Sequence, residues 1–194
     1  MKWIALPLYY ATRVWALIQR KFLQWTIGAF LEHKCKSFGS VGIYGTGRFV
    51  NVGGLSIGDN VHVNYGANWV CDGGLTIGDN CHFSSNCTIY TRNHNARGTA
   101  LPYDDENIPR PVTIGRNVWI GANVTIAPGT EIGEGAIIGA GSVVHGKVPA
   151  FAIMGAAAPI AIGERDKEHY ADLEAKGHYG GPGGRLVKAD RSKA

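Results

Sequence analysis

Aliphatic residues recur at every sixth position through the middle of the chain. Ile114, Ile120, Ile126, Ile132, Ile138 and Val144 form one unbroken series. Upstream, Ile57, Val63, Trp69 and Leu75 form a shorter one, followed by Ile77, Phe83 and Ile89. Four places after the aliphatic sits a small or β-branched residue: Val61, Ala67, Cys81, Cys87, Val118, Val124, Thr130, Ala136 and Ser142. A period of six matches neither an amphipathic helix nor simple strand alternation. It predicts very short strands joined by corners, each side sending one aliphatic inward. Three sides close a triangular coil, and stacked coils pair their backbones and bury a column of Ile and Val. A longer repeat is superimposed: GGLSIGDNVHV (Gly53–Val63) returns twenty residues later as GGLTIGDNCHF (Gly73–Phe83). Three sixes plus a slip of two, at Leu55/Ile57 and Leu75/Ile77, account for the twenty. Gly58, Gly78, Gly115, Gly121, Ala127, Gly133 and Gly139 follow their aliphatics directly, and they are read as the turning points of the coil.

The period stops between Asn93 and Pro111. The stretch 94–111, HNARGTALPYDDENIPRP, is polar, carries three prolines and has no six-fold aliphatic. A loop of this length inside a compact solenoid is usually functional. At the N-terminus the spacing turns helical: Leu8, Ala11, Val14, Trp15, Ile18, Phe22 and Trp25 follow Pro7, which reads as a first helical position. Lys2, Arg13, Arg20 and Gln24 fall on one narrow stripe of that helix. Two readings stand, a cap over the open first coil and a helix lying on an anionic membrane. Near the other end, Glu164–Lys176 reads as a short helix, and the tail from Gly177, with its GGPGG, as flexible. The expected organisation is therefore an amphipathic helical segment over 1–40, the solenoid over 41–163 with its excursion 94–111, and a helix with a Gly-rich tail over 164–194.

Composition narrows the function classes. Glycine is 28 of 194 residues, but proline is only 8 and no G-X-Y run exists, so collagen is excluded. Hydrophobic residues at 45% and charged residues at 18% suffice for a packed core. A net charge of +4 is too small to argue for nucleic acid. Six of the basic residues (Lys2, Arg13, Arg20, Lys21, Lys34, Lys36) lie in the first forty positions, against Glu32 alone. Cys35, Cys71, Cys81 and Cys87 contain no CxxC pair and read as small buried hydrophobes in a reducing compartment. The longest uncharged runs at the N-terminus, Trp3–Thr12 and Phe22–Leu31, are each about half of a bilayer crossing. Arg13 cuts the apolar stretch and no small-x-small site follows cleanly, so a signal peptide is not expected. The expected location is the cytoplasm, at the inner face of the membrane if the helix docks there.

No GxSxG, HExxH, P-loop or paired CxxC motif occurs. His94 stands where the last regular side enters the loop, and histidine is the side chain most readily poised as a base near neutral pH. Over about Val41–Gly163 the chain resembles the hexapeptide-repeat acyltransferases, all-β proteins whose fold is a left-handed parallel β-helix. The handedness comes from the resemblance alone. In the maltose- and galactoside-type sugar O-acetyltransferases of that family a histidine just before the excursion loop is the catalytic base, which implies that role for His94. The resemblance further implies acetyl-CoA as cosubstrate, the Ala122 amide (in WIGAN) as oxyanion donor, and the Ala140 backbone along the pantetheine arm. Trp119 would line the same slot, or pack between subunits.

Asn64 and Asp72 match the residues that hold acceptor hydroxyls, although Asn64 also reads as a corner residue. Asp104, Asp105 and Glu106 read as solvated acids or as groups orienting His94. The family's closing G-x-P and following base are replaced by Gly155-Ala156-Ala157-Ala158-Pro159-Ile160, which leaves Lys147 and Arg165 for the CoA phosphate. The expected assembly is a homotrimer, and no metal is expected. The expected reaction is O-acetylation of a sugar or polysaccharide hydroxyl. Acylation of an amino-sugar nitrogen, a zinc site of the γ-carbonic-anhydrase kind using His62, His82 and His94, and a non-catalytic β-helix stay open as alternatives.

Overall fold

The computed structural model describes residues 2–95, 99, 103, 105–156, 164, 166–176, 178–180 and 186–188. These fall into two compact units, Met1–Ala157 and Ala158–Ala194. The first unit is a three-sided parallel β-solenoid. Its first face stacks Ser37–Phe38, Leu55–Ile57, Leu75–Ile77, Val112–Ile114, Glu131–Ile132 and Lys147–Val148. The second stacks Val41–Ile43, Val61–Val63, His82–Phe83, Trp119–Ile120, Ile137–Ile138 and Ile153–Met154. The third holds Arg48–Val50, Asn68–Val70, Thr88–Tyr90, Thr125–Ile126 and Val143–Val144.

The six-fold aliphatics point inward as the period requires, and every member of both columns is buried. Fully burying one such side chain is worth about 1.5–3 kcal/mol, so the column is the main source of cohesion along the axis. Coil length varies with the slips. Ile57 pairs with Ile77, twenty residues on; Ile114 with Ile132, eighteen on; and Ile132 with Val148, sixteen on. The larger coils take larger fillers: Trp69 meets Phe49 and Phe83 edge-to-face at 5.4 and 5.0 Å between ring centroids.

The corners correct the sequence reading of glycine. The left-handed backbone positions are shared between asparagines and a different set of glycines; after the first face they include Asn60 (φ 53°), Asn80 (φ 58°) and Asn117 (φ 57°), then Gly135 (φ 68°). Asparagine tolerates that region because its short amide bonds locally. Here the amides also bond along the stack, Asn60 Nδ2 to Asn80 Oδ1 and Asn80 Nδ2 to Asn117 Oδ1, both 3.0 Å. The glycines that follow the aliphatics do not have positive φ; they are small because the next coil is close. A Cβ on Gly121 would sit 2.6 Å from the Ala140 nitrogen, and one on Gly115 2.7 Å from the Glu134 nitrogen.

The N-terminal helix is longer than its spacing suggests, running from Lys2 to Lys34 with Pro7 inside it rather than at its start. Only its last turns touch the solenoid, through buried Leu31 and half-buried Ile27. The loop also differs from expectation. Its root is an antiparallel pair, Arg92–His94 with Asn107–Pro109, so the excursion leaves as a hairpin. In the second unit the helix spans Lys167–Lys176, beginning after Glu164. Strands His178–Gly180 and Leu186–Lys188 pair antiparallel around the Gly-rich stretch that reads as a flexible tail.

Candidate active site

His94 ends the outgoing strand of the hairpin, opposite Asn107. Its imidazole stacks on Tyr103, ring centroids 4.0 Å apart and planes 10° from parallel. No other side chain among the described residues hydrogen-bonds to it. The ring faces a cleft of about 430 Å³ lined by Arg48, Val50, Val70, Tyr90, Arg92, Asn93, Asn107 and Pro128. Among the described residues two guanidiniums and no carboxylate line this space, so it suits an electron-rich, hydroxylated ligand.

The hairpin's position is set at Thr91, a fully buried residue where the third face ends. Its hydroxyl donates to the Val70 carbonyl and accepts from the Gly73 amide, both at 2.8 Å. Its carbonyl accepts the returning Arg110 amide at 2.7 Å. One residue thus ties the exit and the return of the loop to the coil beneath. Sequence reasoning missed Thr91 and Arg48. A hydroxyl directly before a break in the aliphatic period is the signal for the first; an outward arginine on a face has none.

The predicted site residues fall on two different edges. Asp72 lies on the edge between the third and first faces, with His94. Its carboxylate, 20% exposed, pairs with Arg92 at 3.4 Å and accepts a short hydrogen bond from Asn51. It therefore positions a residue of the cleft and does not line the cleft itself. Asn64, Ala122 and Ala140 lie on the edge between the second and third faces, beside outward-facing Trp119. Asn64 donates to the Phe83 carbonyl at 3.2 Å, as a corner residue does. The Ala122 carbonyl accepts from Gly141 at 2.8 Å, while the Ala122 and Ala140 amides donate to no carbonyl among the described residues. Such free, fixed donors are what an oxyanion requires. Within one chain the third face separates them from His94.

Lys147 extends from the first face and pairs with Glu131 at 3.1 Å, away from the Ala140 corner. Arg165 and Asp104 lie outside the described residues. Asp105 gives its carbonyl to Asn107, and Glu106 is held by the Asn95 amide at 2.6 Å, so neither is shown on His94.

His62 and His82 do stack in register, ring centroids 4.4 Å apart. His62 Nε2 donates to Asn60 Oδ1 at 3.0 Å, so its Nδ1 is the acceptor of the Tyr44 hydroxyl at 2.7 Å. Both ring nitrogens are engaged, and His94 stands on another edge, so these three histidines do not form a ligand set. Burial pushes the Cys71 and Cys87 thiols up to about 12 and that of Cys35 to about 11; all four cysteines are free. Protonated, buried thiols are poor nucleophiles.

Two family models match the solenoid: "Bacterial transferase hexapeptide (six repeats)" over residues 111–146 and "Hexapeptide repeat of succinyl-transferase" over 54–91. The chain is similar to a hexapeptide-repeat-containing acetyltransferase from Vibrio cholerae, with 26% identity, 68% of this chain and 75% of that one covered, and a TM-score of 0.61. It is similar to a maltose O-acetyltransferase from Clostridium difficile, with 31% identity, 64% and 67% covered, and a TM-score of 0.59. It is also similar to a galactoside acetyltransferase in complex with coenzyme A, with 27% identity, 83% and 76% covered, and a TM-score of 0.57. No curated protein sequence matches the chain.

Proposed function

The chain belongs to the hexapeptide-repeat acyltransferases, and on that premise we propose that it is an acetyl-CoA-dependent O-acetyltransferase acting on a sugar or polysaccharide hydroxyl, with His94 as general base. The observation that carries this reading is His94 itself, stacked on Tyr103 at a polar cleft, with no side chain among the described residues hydrogen-bonded to its imidazole. A neutral ring nitrogen takes the proton of the acceptor hydroxyl. The hydroxyl oxygen attacks the thioester carbonyl, its C–S bond breaks, and the leaving thiolate recovers the proton from the imidazolium. The Ala122 amide stabilises the oxyanion, and the small residues at Ala122 and Ala140 leave room for the pantetheine arm. The relatives in complex with coenzyme A or acetyl coenzyme A support the choice of cosubstrate. Those acting on maltose and galactosides support a sugar acceptor.

The two-edge arrangement supports a site between subunits. One copy supplies the His94 edge and its neighbour the Ala122 edge, which a homotrimer provides three times over. Light scattering should find a trimer; an active monomer would overturn this part. The reaction is tested by thiol release from acetyl-CoA against a panel of sugars and amino sugars. His94→Ala should lower the rate about 10²–10⁴-fold and leave acetyl-CoA binding nearly unchanged. Full activity in His94→Ala would remove it as the base.

A further inference from the structure

The N-terminal helix carries far more apolar surface than its contact with the solenoid uses. Trp15, Phe22 and Trp25 are 62%, 63% and 68% exposed, and Val14 and Ile18 are exposed beside them. The body-facing side of the helix is fixed by Ile27 and Leu31. Ile18 lies nine residues before Ile27, and Phe22 nine before Leu31. Nine residues are two and a half turns of an α-helix, so the exposed arc faces directly away from the coil on which the helix docks. It cannot fold back to cap that coil.

The charge of the same segment names the surface that covers it. The first forty residues hold six Lys and Arg against Glu32, whereas the other 154 hold thirteen against fourteen acids, which is close to neutral. The whole positive excess therefore sits on this one element. No salt bridge among the described residues engages Arg13, Arg20 or Lys21; Arg13 instead lies over the Tyr9 ring, 5.8 Å from its centroid. Arg13 is five turns from Leu31, and Arg20 about two turns from Ile27, so both lie opposite the apolar arc. A long helix with a Trp- and Phe-rich arc, and with its arginines on the opposite side among exposed Tyr9, Leu17 and Leu23, suits the interface of a bilayer. At 33 residues it is long enough to span one, but no helix among the described residues is apolar enough to cross a membrane.

We propose that the helix Lys2–Lys34 lies on an anionic lipid bilayer, inserting the arc of Val14, Trp15, Ile18, Phe22 and Trp25. Basic residues near such a surface attract it, and the aromatic rings sit at the headgroup level. The rival occupant is the same arc of a second copy.

The test is flotation of the full-length protein with vesicles of phosphatidylcholine, with and without phosphatidylglycerol, at low and high salt. The protein should float with the anionic vesicles and be released from them by salt, and the emission of Trp15 and Trp25 should shift to the blue. Ile18→Glu with Phe22→Glu should weaken binding at least tenfold, on the order of the burial lost. Arg13→Gln and Arg20→Gln should weaken it about fivefold each. All these side chains are exposed, so melting temperature and acetyl transfer in solution should not change. Wild-type protein that stays off anionic vesicles overturns the proposal. So does an Ile18→Glu/Phe22→Glu variant that still binds, or one that binds less because its oligomeric state has changed.

Discussion

Replacing Thr91 with valine keeps the shape of the side chain and removes the hydroxyl that roots the His94 hairpin. The Val70 carbonyl keeps one partner, because the Thr91 amide also donates to it at 3.1 Å. The half-buried Gly73 amide loses the Thr91 hydroxyl it donates to, and an orphaned buried donor costs about 1–3 kcal/mol. Loss of the hydroxyl's own bond adds about 0.5–1.5 kcal/mol, and the extra buried methyl returns about 0.8 kcal/mol. The net is about 2 kcal/mol, which for a chain of this size is about 4–8 °C in melting temperature. Thr91→Ser keeps both hydrogen bonds and loses one methyl, about 1 kcal/mol. Thermal melts should therefore rank wild type above Thr91→Ser and Thr91→Ser above Thr91→Val. Turnover should follow, because the root of the strand carrying His94 shifts; a small misplacement of a catalytic group costs about 10–100-fold in rate. The KM for acetyl-CoA should stay put. A valine variant that melts at or above the serine variant would refute the assignment of Thr91 as the anchor.

The asparagine ladder gives a second comparison. Asn80→Ala loses two amide bonds and strains a backbone at φ 58°, about 2–4 kcal/mol in all. Asn80→Gly loses the bonds without the strain, so denaturant melts should place it above the alanine variant by about 0.5–1 kcal/mol; equal stability would mean the corner is not strained. The buried thiols predict the alkaline limit of the fold. The folded state holds the Cys71 and Cys87 protons up to about pH 12, whereas the unfolded chain releases them from about pH 8.5 upward. Their contribution is complete below that pH and is lost as pH rises towards 12, by about 2 kcal/mol per thiol at pH 10. The pH 7 to pH 10 drop in melting temperature should shrink in Cys71→Ala and Cys87→Ala, and an undiminished drop would contradict the linkage.

What was legible in the sequence is local and periodic. An inward aliphatic every six residues encodes its own burial, because each side of the coil is a short strand with one inward position. Ile57, Ile120 and Val144 thus announce the solenoid without knowing their neighbours, and the break at 94–111 marks the excursion by the same logic. His94 was visible as a residue type at a boundary. Everything set by residues eighteen or more apart was decided by the stacking of coils. Gly115 and Gly121 are glycine because a backbone from the next coil approaches them, which no single repeat can reveal. Asp72 is drawn to Arg92, and Thr91 to Gly73, by one turn of the solenoid. His94 and the Ala122 amide end on different edges because the three-fold winding places them there, although 28 residues of sequence give no hint of which edge each will occupy. The direction of the N-terminal arc was settled in the same way. The helical wheel shows an apolar side, but only the docking of Ile27 and Leu31 turns that side away from the protein.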